Sequence, residues 1–177
     1  MQPRDLLMLF SRNGVPKTSM EDIARAAGLS RQSIYKRFGS KEGVLEWVLT
    51  TYIEEIFQAA LDALKDPGME NPGQAVLKVF EYWSGELVPI ISMTDHGAEI
   101  LGIGMRFAEN ADTNWEGDLL LKLSDFLVAS GLTGSMDLAV EQSNALNLAS
   151  KGILMRSRSS EIFSIEMNRV IQVIFKD

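Results

Sequence analysis

Between Arg31 and Arg37 every position except Ile34 carries a side chain able to donate a hydrogen bond, and none of them is acidic. Arg31, Gln32, Ser33, Tyr35, Lys36 and Arg37 therefore suit a partner rich in acceptors and negative charge. The base edges and phosphates of DNA are such a partner. Arg31 has the planar fork that matches guanine N7 and O6, Gln32 the amide that matches adenine, and Ser33 a hydroxyl that suits either. Tyr35 and Lys36 suit phosphate oxygens, and so do Thr18, Ser19 and Lys41. Lys41 has the added pull of free N–H groups on the first turn of its helix. Ser30, just ahead of Arg31, is counted with these as a DNA-binding residue.

Such donors act together only if an element holds them on one face. The stretch from Thr18 to Lys41, TSMEDIARAAGLSRQSIYKRFGSK, reads as two short helices joined by a glycine turn. Ser19 can cap a first helix that presents Ile23, Ala24 and Ala27 inward. Gly28 can take the left-handed turn, and Ser30 can cap a second helix carrying Ile34 and Phe38 at i, i+4. Ala24 supplies the small residue that two steeply crossing helices need, and Leu29 and Ile34 are expected to fill the wedge between them. With Ile34 and Phe38 inward, the donors face solvent. This is the wiring of a helix-turn-helix, which lays its second helix in the major groove.

The longer run from Leu6 to Leu45 resembles the amino-terminal domain of the TetR family of bacterial transcriptional regulators. The landmarks are Leu9-Phe10, Gly14, Thr18-Ser19, Ile23-Ala24, Ala27-Gly28-Leu29-Ser30, Ile34-Tyr35, Phe38 and Ser40-Lys41-Glu42. The resemblance implies an all-α fold: an amino-terminal three-helix bundle with the helix-turn-helix in residues 1–48, then a larger helical ligand-binding and dimerisation domain in residues 49–177. It also implies a double-stranded palindromic operator, a small-molecule effector, and a homodimer built by the last two helices as a four-helix bundle. Repression relieved by the effector is the family's commonest mode. The sequence departs from the family in having only Met1, Gln2 and Pro3 ahead of Arg4, where relatives usually carry a longer and often basic stretch.

Composition agrees with this division of labour. The 177 residues carry a net charge of −7. Residues 1–48 hold eight Lys and Arg against five acids, a balance of +3, which leaves −10 for the rest. A basic end facing phosphate and an acidic body held away from it is the asymmetry a DNA binder needs. There is no cysteine, hence no disulfide framework and no thiol chemistry. No signal-peptide pattern and no apolar run of bilayer-spanning length occurs, so a cytoplasmic protein without a membrane partner is expected.

Beyond Ser40 the pattern stays helical. Ser40 caps a long helix to about Leu64, ended by Asp66-Pro67-Gly68, and Asn71-Pro72 opens another with Val76, Val79, Phe80, Trp83 and Leu87 at helical spacing. Val88-Pro89-Ile90 is expected to interrupt it. Further helices are expected over about 95–108 and 112–130, the latter with Trp115, Leu119, Leu123, Phe126 and Leu127 inward. Ser135 and Ser160 begin the last two, to about Met155 and Phe175. Ile162, Phe163, Ile165, Met167, Val170, Ile171, Val173 and Ile174 cover more than one face of the final helix, which implies a second partner.

A regulatory pocket, which the resemblance places in the body, is expected to draw on Tyr82, Trp83, Met93, His96, Met105, Phe107 and Trp115, because aromatic and thioether side chains suit an adaptable apolar cavity. Its effector is then a small apolar or amphipathic molecule. Effector binding would shift the population toward a state in which the Ser40–Leu64 helix is tilted and the two DNA heads are out of register.

Enzyme chemistry finds little footing. His96 is the only histidine, so paired Glu-x-x-His motifs and multi-histidine zinc sites are absent, and no metal, cofactor or catalytic residue is expected. Ser92, Asp95 and His96 are neighbours along a helix and form no triad. Gly102-Ile103-Gly104 lacks the third glycine of a dinucleotide fingerprint, and Gly14-Val15-Pro16-Lys17-Thr18 lacks the glycine before lysine of a P-loop. The alternative function is a helical sensor that acts through a protein partner without binding DNA.

Overall fold

A computed structural model of the chain describes residues 1–65 and 71–176. Its helices are α1 (Pro3–Asn13), α2 (Met20–Ala27), α3 (Arg31–Phe38), α4 (Lys41–Ala63), α5 (Pro72–Trp83), α6 (Val88–Ser92), α7 (Gly97–Glu109), α8 (Trp115–Ala129), α9 (Met136–Leu154) and α10 (Ser160–Ile174), with a 3₁₀ turn at Gly85–Leu87. No strand occurs among the described residues, and the all-α expectation holds. Among those residues no helix is long and apolar enough to cross a membrane. The helix stop expected at Asp66-Pro67-Gly68 lies outside the described residues.

Two compact units form, and each draws on two stretches of chain: Met1–Glu55 with Ile90–Thr113, and Ile56–Pro89 with the chain from Asn114 onward. A division at residues 48 and 49 falls inside α4, which runs uninterrupted. The first unit also recruits α7, which packs on α1. The His96 backbone N–H donates to the Ser11 carbonyl at 2.9 Å, and the His96 ring lies against Gly14 at the end of α1. Leu6, Leu7, Phe10, Ile23, Ile34, Val44, Val48 and Ile100 supply its buried apolar side chains.

In the second unit α9 packs between α8 and α10, and α10 also packs on α5. Leu119, Leu123 and Leu127 are buried on α8, Leu146 and Leu154 on α9, Phe163, Met167 and Ile171 on α10, and Val76, Val79 and Phe80 on α5. The inward face of α9 is not purely apolar. Ser143 accepts from the Ser124 hydroxyl at 3.0 Å, Ser150 pairs with Ser84 at 3.0 Å, and Asn147, only 3% exposed, donates through Nδ2 to Glu116. The buried hydroxyls are tolerated there because they find one another, and Asn147 because its Nδ2 reaches a carboxylate, although its buried Oδ1 has no partner among the described residues.

Several details differ from the sequence reading for local reasons. Pro89 does not break a helix; it stands in the first turn of α6, where its missing N–H has no helical partner to lose. The actual interruption is the 3₁₀ turn before it. Helix α8 starts at Trp115 because Asn114 caps it, its Oδ1 accepting from Gly117 N–H at 3.1 Å. Phe126 is half-buried, while Leu127 takes the core position beside it.

Candidate nucleic-acid interface

The turn between α2 and α3 is framed by hydrogen bonds that the residue types dictate. Ser19 Oγ accepts from the Asp22 N–H, and Asp22 Oδ2 accepts from both the Ser19 hydroxyl at 2.6 Å and its backbone N–H at 3.1 Å. These bonds, the hydroxyl's first, hold the Asp22 carboxyl below its ordinary pKa. At the other end of α2 Gly28 adopts φ 65°, ψ 28°, its N–H donating to Arg25 O while the Leu29 N–H donates to Ala24 O. That pair of bonds is the Schellman arrangement, and it satisfies the last carbonyls of α2.

Leu29 consequently does not fill the wedge between α2 and α3 as expected. It is 41% exposed, standing at the position after the left-handed glycine, where the chain leaves the helix. Ile34, fully buried, anchors α3 alone. Ala27 is half-buried, and so is Phe38, whose ring meets Trp47 of α4 at 5.3 Å between centroids.

With Ile34 buried and Phe38 half-buried, the other six residues of α3 face out. Arg31, Gln32, Ser33, Tyr35, Lys36 and Arg37 are all exposed, as their spacing required. Ser30 caps the helix through the Ser33 N–H and pairs with the Ser33 hydroxyl at 2.8 Å. Arg31 leans on Tyr35 one turn along: Nη2 donates to the phenol oxygen at 3.4 Å, and Cζ lies 5.4 Å from the ring centroid. The phenol's hydrogen bond, and then its charge interaction, keep the guanidinium above its usual pKa. From the sequence alone Arg37 has no role beyond that of a solvent-facing donor. Its guanidinium lies over both Phe38 and Trp47, at 5.2 and 5.6 Å, so a cation is fixed at the end of α3. The adjacent Phe38 was the available signal, but Trp47 stands a helix further on, in α4.

Around this face the remaining expected contacts divide. Ser19 is exposed beside the start of α2. Thr18 is turned inward, 1% exposed, with its hydroxyl donating to Gly14 O at 2.8 Å. It closes the α1–α2 loop and offers a phosphate no open side chain. Lys41 donates to Val15 O at 2.7 Å and Pro16 O at 3.2 Å, so its ammonium ties the same loop to α4 and keeps one of its three protons for other partners.

The residues expected to line a ligand pocket divide between the two units. Tyr82, Trp83 and Trp115 belong to one; Met93, His96, Met105 and Phe107 belong to the other. Met93 is 68% exposed, Tyr82 and Met105 are exposed as well, and Trp115 is buried in the core. His96 is committed locally, with its ring on Gly14 and Nδ1 at 3.0 Å from Glu99 Oε2. Among the described residues no cluster of His, Cys, Asp or Glu could hold a metal ion.

Residues 6–48 match the family model described as bacterial regulatory proteins, tetR family. That stretch carries the family's amino-terminal domain. Among curated relatives the chain is 37% identical over 49 residues to the HTH-type transcriptional repressor KstR2 of Rhodococcus jostii, a match spanning 28% of this chain and 24% of that protein. It is 38% identical over 63 residues to the HTH-type transcriptional regulator AlkX of Mycobacterium tuberculosis, spanning 34% and 28%. The chain thus spans about a quarter of the length of these relatives. The TetR-family regulator PfmR from Thermus thermophilus has the same fold, with a TM-score of 0.61 at 20% identity and 96% of each chain covered. So does a TetR variant from Acinetobacter baumannii in complex with minocycline, with a TM-score of 0.53 at 15% identity, covering 97% and 92%.

Proposed function

We propose that this protein is a TetR-family, ligand-responsive repressor that binds a palindromic operator as a homodimer and is released by a small apolar or amphipathic effector. The observation that carries the reading is the outer face of α3, six exposed donors without an acid, on a short helix that Ile34 pins and two serine caps and a left-handed glycine aim. Arg31, Gln32 and Ser33 stand at the start of α3, the end of a recognition helix that meets base edges. Ser19, Ser30, Tyr35, Lys36 and Arg37 serve the phosphates, with Lys41 contributing its remaining proton.

Dimerisation is supported by the surfaces of α9 and α10. Leu138, Ala145, Leu148, Gly152 and Met155 recur on the exposed face of α9 at steps that suit a helix–helix seam, and Ile162, Ile165 and Val173 are exposed on α10. Two such pairs of helices can close a four-helix bundle. Repression is supported by the name of the Rhodococcus relative, and effector response by the minocycline held by the fold neighbour. A coupling of about 1–3 kcal/mol between effector and DNA would suffice for switching.

Selection of purified protein against random DNA duplexes at near-physiological salt tests the reading. Enrichment of a palindrome whose half-sites lie a helical repeat apart is the expected result. Weak, salt-sensitive binding with no enriched sequence would overturn it and favour action through a protein partner.

A further inference from the structure

We propose that Tyr35 is a positioning residue for sequence readout: its phenol accepts from Arg31 and donates to a DNA phosphate, so that one hydroxyl couples backbone contact to the direction of the base-reading guanidinium. This rests on the functional reading above and goes beyond it, because Tyr35 there serves only the phosphate.

The geometry follows from the helix. Side chains on an α-helix lean toward its amino terminus, so a residue at i+4 covers the turn below it. Tyr35 therefore lies over Arg31, and the ring and the oxygen both engage it, at 5.4 Å to the ring centroid and 3.4 Å to the hydroxyl. No acid stands on α3 itself, and the charge of Glu21 on α2 acts on the guanidinium less than Tyr35 does. A free surface arginine samples many rotamers, and fixing them on binding is a cost that an intramolecular partner removes beforehand.

The chemistry leaves both partners able to act. Arginine has five N–H donors, so one bond to Tyr35 leaves four, enough for the two-bond match to guanine N7 and O6. A phenol that accepts one hydrogen bond still has its own proton to give, and giving it to an anionic phosphate strengthens the bond it accepts. A phosphate in the right place would then hold Tyr35, and Tyr35 would hold Arg31. A duplex with its backbone out of register would lose both contacts together.

The test uses the intact chain and the operator recovered by selection. Affinities are measured for wild type, Arg31→Ala, Tyr35→Phe and the double variant, on the operator and on duplexes changed at each base pair. The base pairs whose preference Arg31→Ala abolishes define the Arg31 readout. Tyr35→Phe keeps the ring under the guanidinium and removes only the hydroxyl, so it is expected to reduce discrimination at those pairs about two- to fivefold, the net worth of one exposed hydrogen bond, and to change it no further once Arg31 is absent. Tyr35 is 41% exposed, so Tyr35→Phe should melt with wild type by circular dichroism. Equal weakening on every duplex would make Tyr35 a phosphate contact only and overturn the inference. So would an Arg31→Ala protein that keeps every base preference. A wild-type protein that enriches no sequence would instead overturn the functional reading, and this inference with it.

Discussion

Gly14 ends α1 at φ 76°, ψ 148°, a region almost reserved for glycine, and the space where a Cβ would stand is closed by the His96 ring at 3.1–3.2 Å. Gly14→Ala therefore meets two penalties. The backbone strain costs about 1–3 kcal/mol, offset by about 0.4–1 kcal/mol because alanine restricts the unfolded chain. The steric penalty is smaller, since the atoms met are the far end of a half-exposed ring that can swing away, at the expense of its contact with Glu99. A net loss near ~2 kcal/mol corresponds to about 4–8 °C in Tm for a chain of this size. Thermal melts by circular dichroism should show that drop, and His96→Ala combined with Gly14→Ala should cost less than the two single losses added. Gly28→Ala, at a left-handed turn with nothing within 4 Å, carries strain of about 1–2 kcal/mol and no steric part. A Gly14→Ala melt indistinguishable from wild type would refute the strain argument, and strict additivity with His96→Ala would refute the ring-on-glycine contact.

Other outcomes follow from single features. Ser150→Ala strands the buried Ser84 hydroxyl and should cost about 1–3 kcal/mol in urea melts, whereas replacing both serines by alanine should cost less than that single change. The Asp22 carboxyl titrates below its ordinary value near 3.8, so its contribution to stability is present above that pH and is lost as pH falls through the lower folded value. Ser19→Ala should thus be less stable than wild type at neutral pH, and urea melts should show the gap narrowing below about pH 3.8. Leu148→Glu puts charge at a 69%-exposed apolar position on α9 and should leave a folded monomer in sedimentation analysis; an unchanged dimer would move the dimer contact off this face.

The helix-turn-helix was legible because its signals are local: Ser19, Gly28 and Ser30 each act through backbone groups within about one helical turn. The same locality let Asn71 and Ser135 announce α5 and α9. Reading failed where a side chain has a choice of partners distant in sequence. Thr18 looks like a surface hydroxyl until the loop folds it onto Gly14, and Lys41 looks free until Val15 and Pro16 present their carbonyls. Leu29 has the composition of a core residue, but a glycine cap fixes the chain direction there before burial can act. The serines and asparagine on α9 are polar by type and buried by pairing, which no hydrophobic pattern reveals. The aromatic and methionine residues chosen for a pocket fit a composition argument, which says nothing about the unit to which each belongs.

The first unit takes α7 from a stretch that lies well downstream of its other helices, and this has a consequence during synthesis. A nascent chain that has emerged through Glu55 has made all of α1, α2 and α3 but lacks the segment that His96 uses to close over Gly14. Roughly 58 further residues must be translated before Thr113 appears, which at about 5–20 residues per second takes about 3–12 s. Until then the end of α1 is uncovered, and a chain interrupted on the ribosome before α7 presents α3 on an unfinished scaffold.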